Sequence, residues 1–348
     1  MHFTVIGAGA IGGTAGAHLA RAGHAVLFVD AAEDHVRAIE RSGLTIEGRQ
    51  TFQIQAPAVA PNRLAGALAG RPLEAVLLAV KGMHTAAALE AVVPLLGRDS
   101  FVVSMQNGLN ERVIAGRIGP ARTVGAFVNF GADYLGPGRI MYGGEGALYL
   151  GELDGRITPR LEALGAALRD AFLPNTTLTG NIWGYLWGKL GYASMLFATA
   201  VVDETMADVL GDPSCRSLLA NLAGEVVAVA DAEEVRCEGF DGFDPDAMRF
   251  TARRDWDAIA RSLDDLAARN RRSLKVKSGI WRDLAVRRRP TEVDVQIGLV
   301  VAAGRRHGLA TPLNDRLVTM IHDLEDGRRP MSRANLEELR RLDEDVYH

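Results

Sequence analysis

The chain has only two cysteines in 348 residues, Cys215 and Cys237. They lack CxxC spacing, so alone they build neither a disulfide framework nor a zinc site. A reducing, cytoplasmic setting and no metal are expected. Long hydrophobic runs are also missing. Stretches such as Ala75–Val80 fall far short of the roughly 20 residues that cross a bilayer. No basic leader precedes the first apolar stretch, which runs straight into a glycine motif, so no signal peptide is expected. Positive charge is not in excess: 39 Lys and Arg stand against 43 Asp and Glu, for a formal net charge of −4. A protein that coats nucleic acid is usually basic, so no nucleic-acid or membrane partner is expected. Internal repeats and low-complexity segments are lacking too. What is there, 48% hydrophobic and 24% charged residues, excludes wholesale disorder. At about 150 residues per domain the length suggests roughly two domains.

The first half alternates short β-branched runs with helical patterns. Phe3–Ile6 reads as a buried strand, Ala10–Ala22 as a helix, and Ala25–Asp30 as a second strand. That order is the unit of a doubly wound, mostly parallel sheet. Ala75–Val80 and Phe101–Met105 are further strands, and 124–128 and 147–150 are strand-like. Gly136–Arg139 and Tyr142–Gly146 read as turns between antiparallel strands. From Ile182 onward helical periodicity dominates. The fold class expected is an α/β Rossmann domain over residues 1–180, followed by an all-α domain over 181–348. The charged amphipathic tail Arg333–Asp345 reads as a surface or interface helix.

Gly7-Ala8-Gly9-Ala10-Ile11-Gly12 matches G-x-G-x-x-G. The match follows a strand and opens a helix, the context that gives the pattern its meaning. Gly7 permits the tight turn, Gly9 lets backbone approach a pyrophosphate, and Gly12 lets helix and strand pack. The amides at the helix start, from Ala10 and Ile11, are left to face phosphate. Asp30 ends the second strand, 18 residues after Gly12. A carboxylate there accepts from both ribose hydroxyls of NAD and repels the 2′-phosphate of NADP. No Arg or Lys adjoins it, and Arg37 lies two turns into the next helix. NAD is therefore expected over NADP. A plain helix N-cap would place the same residue there.

Further segments line up in order: Ala79-Val80-Lys81, Ser104-Met105-Gln106-Asn107-Gly108, Leu186-Trp187-Gly188-Lys189-Leu190 and Pro290-Thr291-Glu292-Val293-Asp294. With the N-terminal glycine motif, the sequence resembles the ketopantoate reductase (2-dehydropantoate 2-reductase) family, to about residue 325. The resemblance implies a Rossmann domain and a helical domain with the active site in the cleft between them. It places the catalytic lysine at Lys189, donating a proton to a carbonyl oxygen as hydride reaches carbon. Negative charge builds on that oxygen, and an ammonium both stabilises it and supplies the proton. A snorkelling surface lysine is the bland alternative, but the surrounding helix is mostly apolar. The family's glutamate falls on Glu292, where a carboxylate would orient the ammonium; a helix-start acid would look the same. Asn107 would line the nicotinamide pocket, although Asn-Gly is also plain turn chemistry. Lys81 would lie near cofactor and substrate, where a strand-end surface lysine looks identical. Asp294 reads as solvated or outlying.

The pattern breaks at substrate-facing positions. The asparagines usual four and eight residues after the lysine are Ala193 and Phe197 here. The family's serine falls on Gly279, beside Ser278, and a preceding asparagine is Val276. Such polar contacts dominate specificity, so Ala193, Phe197, Ser278 and Gly279 would shape a different substrate pocket. Lys275, Lys277, Ser278 and Arg282 form either a replacement anion site or a solvated basic face. Trp183, Tyr185, Trp187, Tyr192 and Trp281 form either a bulky aromatic pocket or domain core. The expected protein is a homodimeric, NAD-linked oxidoreductase acting on a small 2-oxo or 2-hydroxy acid, with 2-dehydropantoate foremost. Its rivals are a dehydrogenase of another hydroxy acid and a non-catalytic dinucleotide sensor.

Overall fold

Successive residues of the first strand face opposite layers, Val5 into one apolar cluster and Ile6 into another. The same alternation recurs at Leu77 and Leu78, and at Val103 and Val102. Strands buried on both faces carry apolar residues at every position, which is why they read as unbroken hydrophobic runs. The structure, a computed structural model, describes residues 1–348 apart from the side chain of Glu145. The chain divides into two units, Met1–Ile182 and Trp183–His348.

In the first unit the strands are β1 (His2–Ile6), β2 (Ala25–Val29), β3 (Leu44–Gly48), β4 (Phe52–Ile54), β5 (Ala58–Val59), β6 (Leu73–Leu78), β7 (Leu96–Ser104), β8 (Thr123–Gly136), β9 (Arg139–Glu152) and β10 (Thr176–Leu178). Their order is β4-β3-β9-β8-β7-β6-β1-β2-β5, with β10 paired to β9. Only the β3–β4 and β8–β9 pairs are antiparallel. The chain leaves β1 for β2 on one side and returns to β6 on the other. The carboxyl end of β1 is therefore a topological switch point, where open α/β sheets take ligands.

Helix α1 (Ala10–Arg21) lies close on this sheet. A Cβ on Gly12 would come 2.2 Å from the Gly7 carbonyl oxygen and 2.8 Å from Val5. After β2, α2 (Glu33–Ser42) buries His35, Val36 and Ile39, the latter two in the same apolar cluster as Ala15 and Leu19 of α1. The expected turn at Gly136–Arg139 joins β8 to β9. The expected turn at Tyr142–Gly146 is corrected: these residues lie inside β9. Glycine serves there for close backbone approach, not for a turn. A Cβ on Gly146 would fall 1.9 Å from the Asn129 carbonyl, and the ladder shifts register between Asn129 and Ala132.

The second unit is helical. Its longest elements are α3 (Ile182–Thr199), α4 (Arg216–Ala232), a helix over Trp256–Arg272, α5 (Pro312–Glu325) and α6 (Arg333–Tyr347). Gly188 of α3 lets the chain at Glu238 approach, since a Cβ there would sit 2.4 Å from the Glu238 carbonyl oxygen. Glu225 of α4 is 1% exposed. It accepts from the Leu313 and Asn314 amides at 2.9 and 3.0 Å, from Asn314 Nδ2 at 2.8 Å and from the Tyr347 hydroxyl at 2.8 Å. Burial pushes its carboxyl up, and the α5 amides pull the other way. The network fixes α4, the start of α5 and the end of α6 to one another. The tail helix also buries Leu336 and Leu339 completely, at about 1.5–3 kcal/mol each.

Candidate active site

The glycine loop occupies the switch point. Gly7 has φ +94°, and a Cβ there would lie 2.8 Å from the Val80 amide nitrogen. Its own amide donates to the Val29 carbonyl at 2.8 Å. Gly9 caps α1 without a side chain, and a Cβ there would meet no atom within 4 Å. Ala10 and Ile11 are half-buried. The first-turn amides of a helix have no intrahelical acceptor, and α1 has no acidic residue in its first turn. The loop is open at the point where a diphosphate would need it.

Asp30 follows β2 directly. Its Oδ2 accepts the Ala8 amide at 2.8 Å and its Oδ1 the Ala32 amide at 2.9 Å. Arg37 is held elsewhere, on Glu33 at 2.9 Å. Tyr134 stands nearby. Burial first, then the Asp34 and Asp30 carboxylates, raise its hydroxyl above the ordinary tyrosine range.

The carboxyl ends of the neighbouring strands are tied into the same edge. The Ala79 amide donates to Ile6 and the Met105 amide to Leu78, each at 2.8 Å. Lys81 is half-buried at the end of the segment after β6, and Asn107 is half-buried after β7. Asn110 Nδ2 donates to the Asn107 carbonyl at 2.6 Å. The buried Gln106 side chain donates to the Val80 carbonyl and to Thr85 Oγ1, both at 2.8 Å. Gln106, Thr85 and Asn110 brace the turns that carry Lys81 and Asn107, a role the turn dipeptide alone did not signal.

In the second unit Lys189 is half-buried on α3, between the buried Gly188 and Leu190. Trp187 is fully buried. Tyr192 is buried too, its hydroxyl accepting from Asn270 Nδ2 at 3.0 Å and its ring against Phe240 and Phe243. These two aromatics are core. Ala193 and Phe197 are 7% and 0% exposed, so the α3 face that carries them is apolar and enclosed.

Glu292 is half-buried between two wide π-turns, Asp283–Arg287 and Asp294–Gly298. Such turns inside helices cluster at functional sites. The Thr291 amide donates to Glu325 Oε1 at 2.7 Å and anchors the segment. Asp294 is exposed and meets His322 Nε2 at 3.0 Å. Burial opposes the His322 imidazolium, but the Glu325 and Asp294 carboxylates prevail and raise it. Ser278 is buried and caps its own turn through the Trp281 amide, 3.1 Å away. Gly279 lies beside Lys275, whose Nζ would be 4.0 Å from a Cβ at that position. Lys277 is paired with Asp203 at 2.6 Å and lies over the Trp281 ring. Among the described residues no cluster of three or more His, Cys, Asp or Glu could hold a metal, and no helix is long and apolar enough to cross a membrane.

Comparison with known proteins covers both units. Residues 3–155 match the family described as ketopantoate reductase PanE/ApbA, and residues 181–325 match its C-terminal counterpart. A 2-dehydropantoate 2-reductase of Mesorhizobium japonicum is 28% identical over 93% of this chain and 98% of its own length. The crystal structure of a PanE/ApbA family ketopantoate reductase from Ralstonia eutropha is 26% identical, covers 94% of this chain and 99% of its own, and superposes with a TM-score of 0.76. At 22% identity, D-mandelate dehydrogenase with NADH and anilino(oxo)acetate shares the fold, with a TM-score of 0.80 over 94% of this chain and 99% of its own. The two family segments account for most of the chain and include the glycine loop, the helix that carries Lys189 and the segment that carries Glu292; the chain belongs to the ketopantoate reductase family and is an oxidoreductase of that type.

Proposed function

We propose that this protein is an NAD-linked reductase of a small 2-oxo acid, with 2-dehydropantoate, the substrate named for its relatives, as the first candidate. The observation that carries the reading is the open glycine loop with Asp30 beside it. Gly9 leaves free the space that a diphosphate would enter, and the Asp30 oxygens, each with one amide bond, keep lone pairs for ribose hydroxyls. The Asp30 carboxylate would repel a 2′-phosphate, and Arg37 is paired with Glu33, which favours NAD over NADP. Residues 1–180 would serve as the dinucleotide-binding domain and 181–348 as the substrate and dimerisation domain of a cytoplasmic homodimer.

The dinucleotide, when bound, supplies or accepts the hydride. Gly7, Gly9, Ala10, Ile11 and Gly12 would hold its diphosphate, Asp30 its ribose, and Lys81 and Asn107 would border its nicotinamide end. Lys189 would hold the proton on Nζ for the carbonyl oxygen in reduction and take it back in oxidation. Glu292 would orient the ammonium.

A second reading is a bulkier, more apolar 2-oxo acid. Ala193 and Phe197 offer no hydrogen bond to substrate hydroxyls. The dehydrogenase of the same fold is described in a ternary structure with NADH and anilino(oxo)acetate, a carboxylate with an adjacent amide carbonyl and an aromatic ring. One experiment separates these readings from a non-catalytic sensor: NADH and NADPH oxidation with 2-dehydropantoate and with aliphatic and aromatic 2-oxo acids. NADH consumption with 2-dehydropantoate supports the first reading. Faster turnover of an aromatic acid supports the second. Tight NADH binding without turnover of any acid overturns both.

A further inference from the structure

Ala8, between the first two glycines of the loop, has both of its backbone polar groups engaged. Its amide donates to Asp30 Oδ2 at 2.8 Å, and its carbonyl lies 2.9 Å from His35 Nε2. His35 is 1% exposed, on α2. The Gly138 amide, in the turn between β8 and β9, donates to its Nδ1 at 2.9 Å. A backbone amide can only donate, so Nδ1 is the bare nitrogen and the ring proton sits on Nε2, which donates to Ala8. The imidazole thus joins three segments that are distant in sequence: the glycine loop, α2 and the hairpin turn. The Tyr134 ring packs edge-on against it, with centroids 5.1 Å apart.

A trans peptide is planar, and its C=O and N–H point in opposite directions. The carbonyl of Ala8 and the amide of Gly9 belong to one such plane. By holding the Ala8 carbonyl on its buried ring, His35 turns the Gly9 amide the opposite way, out from α2; Gly9 itself carries no side chain to block an approach to that peptide. We propose that His35 is a positioning residue for dinucleotide binding: through the Ala8 carbonyl it aims the Gly9 N–H at the diphosphate. The proposal rests on the dinucleotide-binding reading above. It assigns a role to a side chain that does not itself touch the ligand.

The test compares wild-type protein with His35→Phe, His35→Gln and His35→Asn. Phe fills similar volume and makes neither bond. Gln carries a donor that reaches Ala8. Asn reaches only the Gly138 side. Affinities for NADH, ADP and AMP are read by calorimetry, with kcat and the KM for NADH. The expected result is a loss of about tenfold in NADH and ADP affinity for Phe, the scale of one buried hydrogen bond. AMP, which lacks a diphosphate, should change less than twofold. Gln should recover most of the loss, and kcat at saturating NADH should stay close to wild type. If Phe does not fold, Asn should show the same ADP-selective loss. Equal losses for ADP and AMP, unchanged ADP affinity, or a fall in kcat with KM intact would each overturn the proposal. Wild-type protein that binds neither NADH nor NADPH would overturn the functional reading, and this proposal with it.

Discussion

The Asp30 carboxylate and the Ala8 amide meet at 2.8 Å, across the carboxyl ends of β2 and β1. The residue expected to select the ribose is therefore also a strut of the loop expected to hold the phosphates. Asp30→Ala should reduce the NADH-over-NADPH preference in kcat/KM by about tenfold or more, with some loss of NADH affinity as Ala8 is released. Steady-state kinetics with both dinucleotides checks this. An unchanged ratio would place the selection at another residue.

Lys189→Ala should lower kcat by about 10² or more while the NADH dissociation constant stays within about twofold. Calorimetric titration and single-turnover rates separate the two quantities. Normal turnover would remove the amine from the chemistry.

Two glycines of one motif should fail in different ways. Gly9→Ala places its Cβ where no protein atom lies within 4 Å, whereas Gly12→Ala drives its Cβ to 2.2 Å from the backbone oxygen of Gly7. The first variant should keep the wild-type melting temperature and bind NADH more weakly. The second should lose stability, by about 1–3 kcal/mol for an overpacked site. Thermal melts with NADH titration decide; a stable Gly12→Ala would show that α1 can shift away from the sheet.

His18 lies fully buried among Phe52, Tyr142 and Phe172. Burial lowers its pKa below 6.5, and the Thr14 carbonyl opposes only in part. The unfolded chain takes up the proton near 6.5, and the folded chain does so only at lower pH. This contribution to stability is fully present above 6.5 and is lost as pH falls from there through the folded value. The urea midpoint should therefore drop between about pH 7.5 and about pH 5.5. His18→Asn, which keeps a donor for Thr14, should flatten that slope. An identical slope would assign the pH response to other groups.

The alternating βα pattern and the glycine motif were legible in the sequence because local periodicity and a short-range turn dictate them. The change to helices after Ile182 was legible for the same reason. The Tyr142–Gly146 segment was misread because five clustered residues with three glycines look like a turn, while the need they meet is the backbone of Asn129 crossing at close range. His35 gave no local signal. Its partners are 27 and 103 positions away, and only the β8–β9 turn coming back to α2 brings them together. The bracing of Lys81 and Asn107 by Gln106, Thr85 and Asn110 was hidden likewise, since it depends on two crossovers lying side by side.

The placement of β1 between β2 and β6 has a consequence for how the chain is made. Phe3 pairs with Val26 on one side but with Ala75 on the other, and Thr45 waits for Arg139. Closing such spans spends chain entropy before the contacts can offset it, so assembly is slow relative to a local, helical topology. During synthesis β1 gains β2 early, but its other hydrogen-bonding edge stays bare until the chain through Leu78 has emerged. In that interval such bare edges are open to pairing with other chains, and β3, which waits for β9, stays open over the longer span.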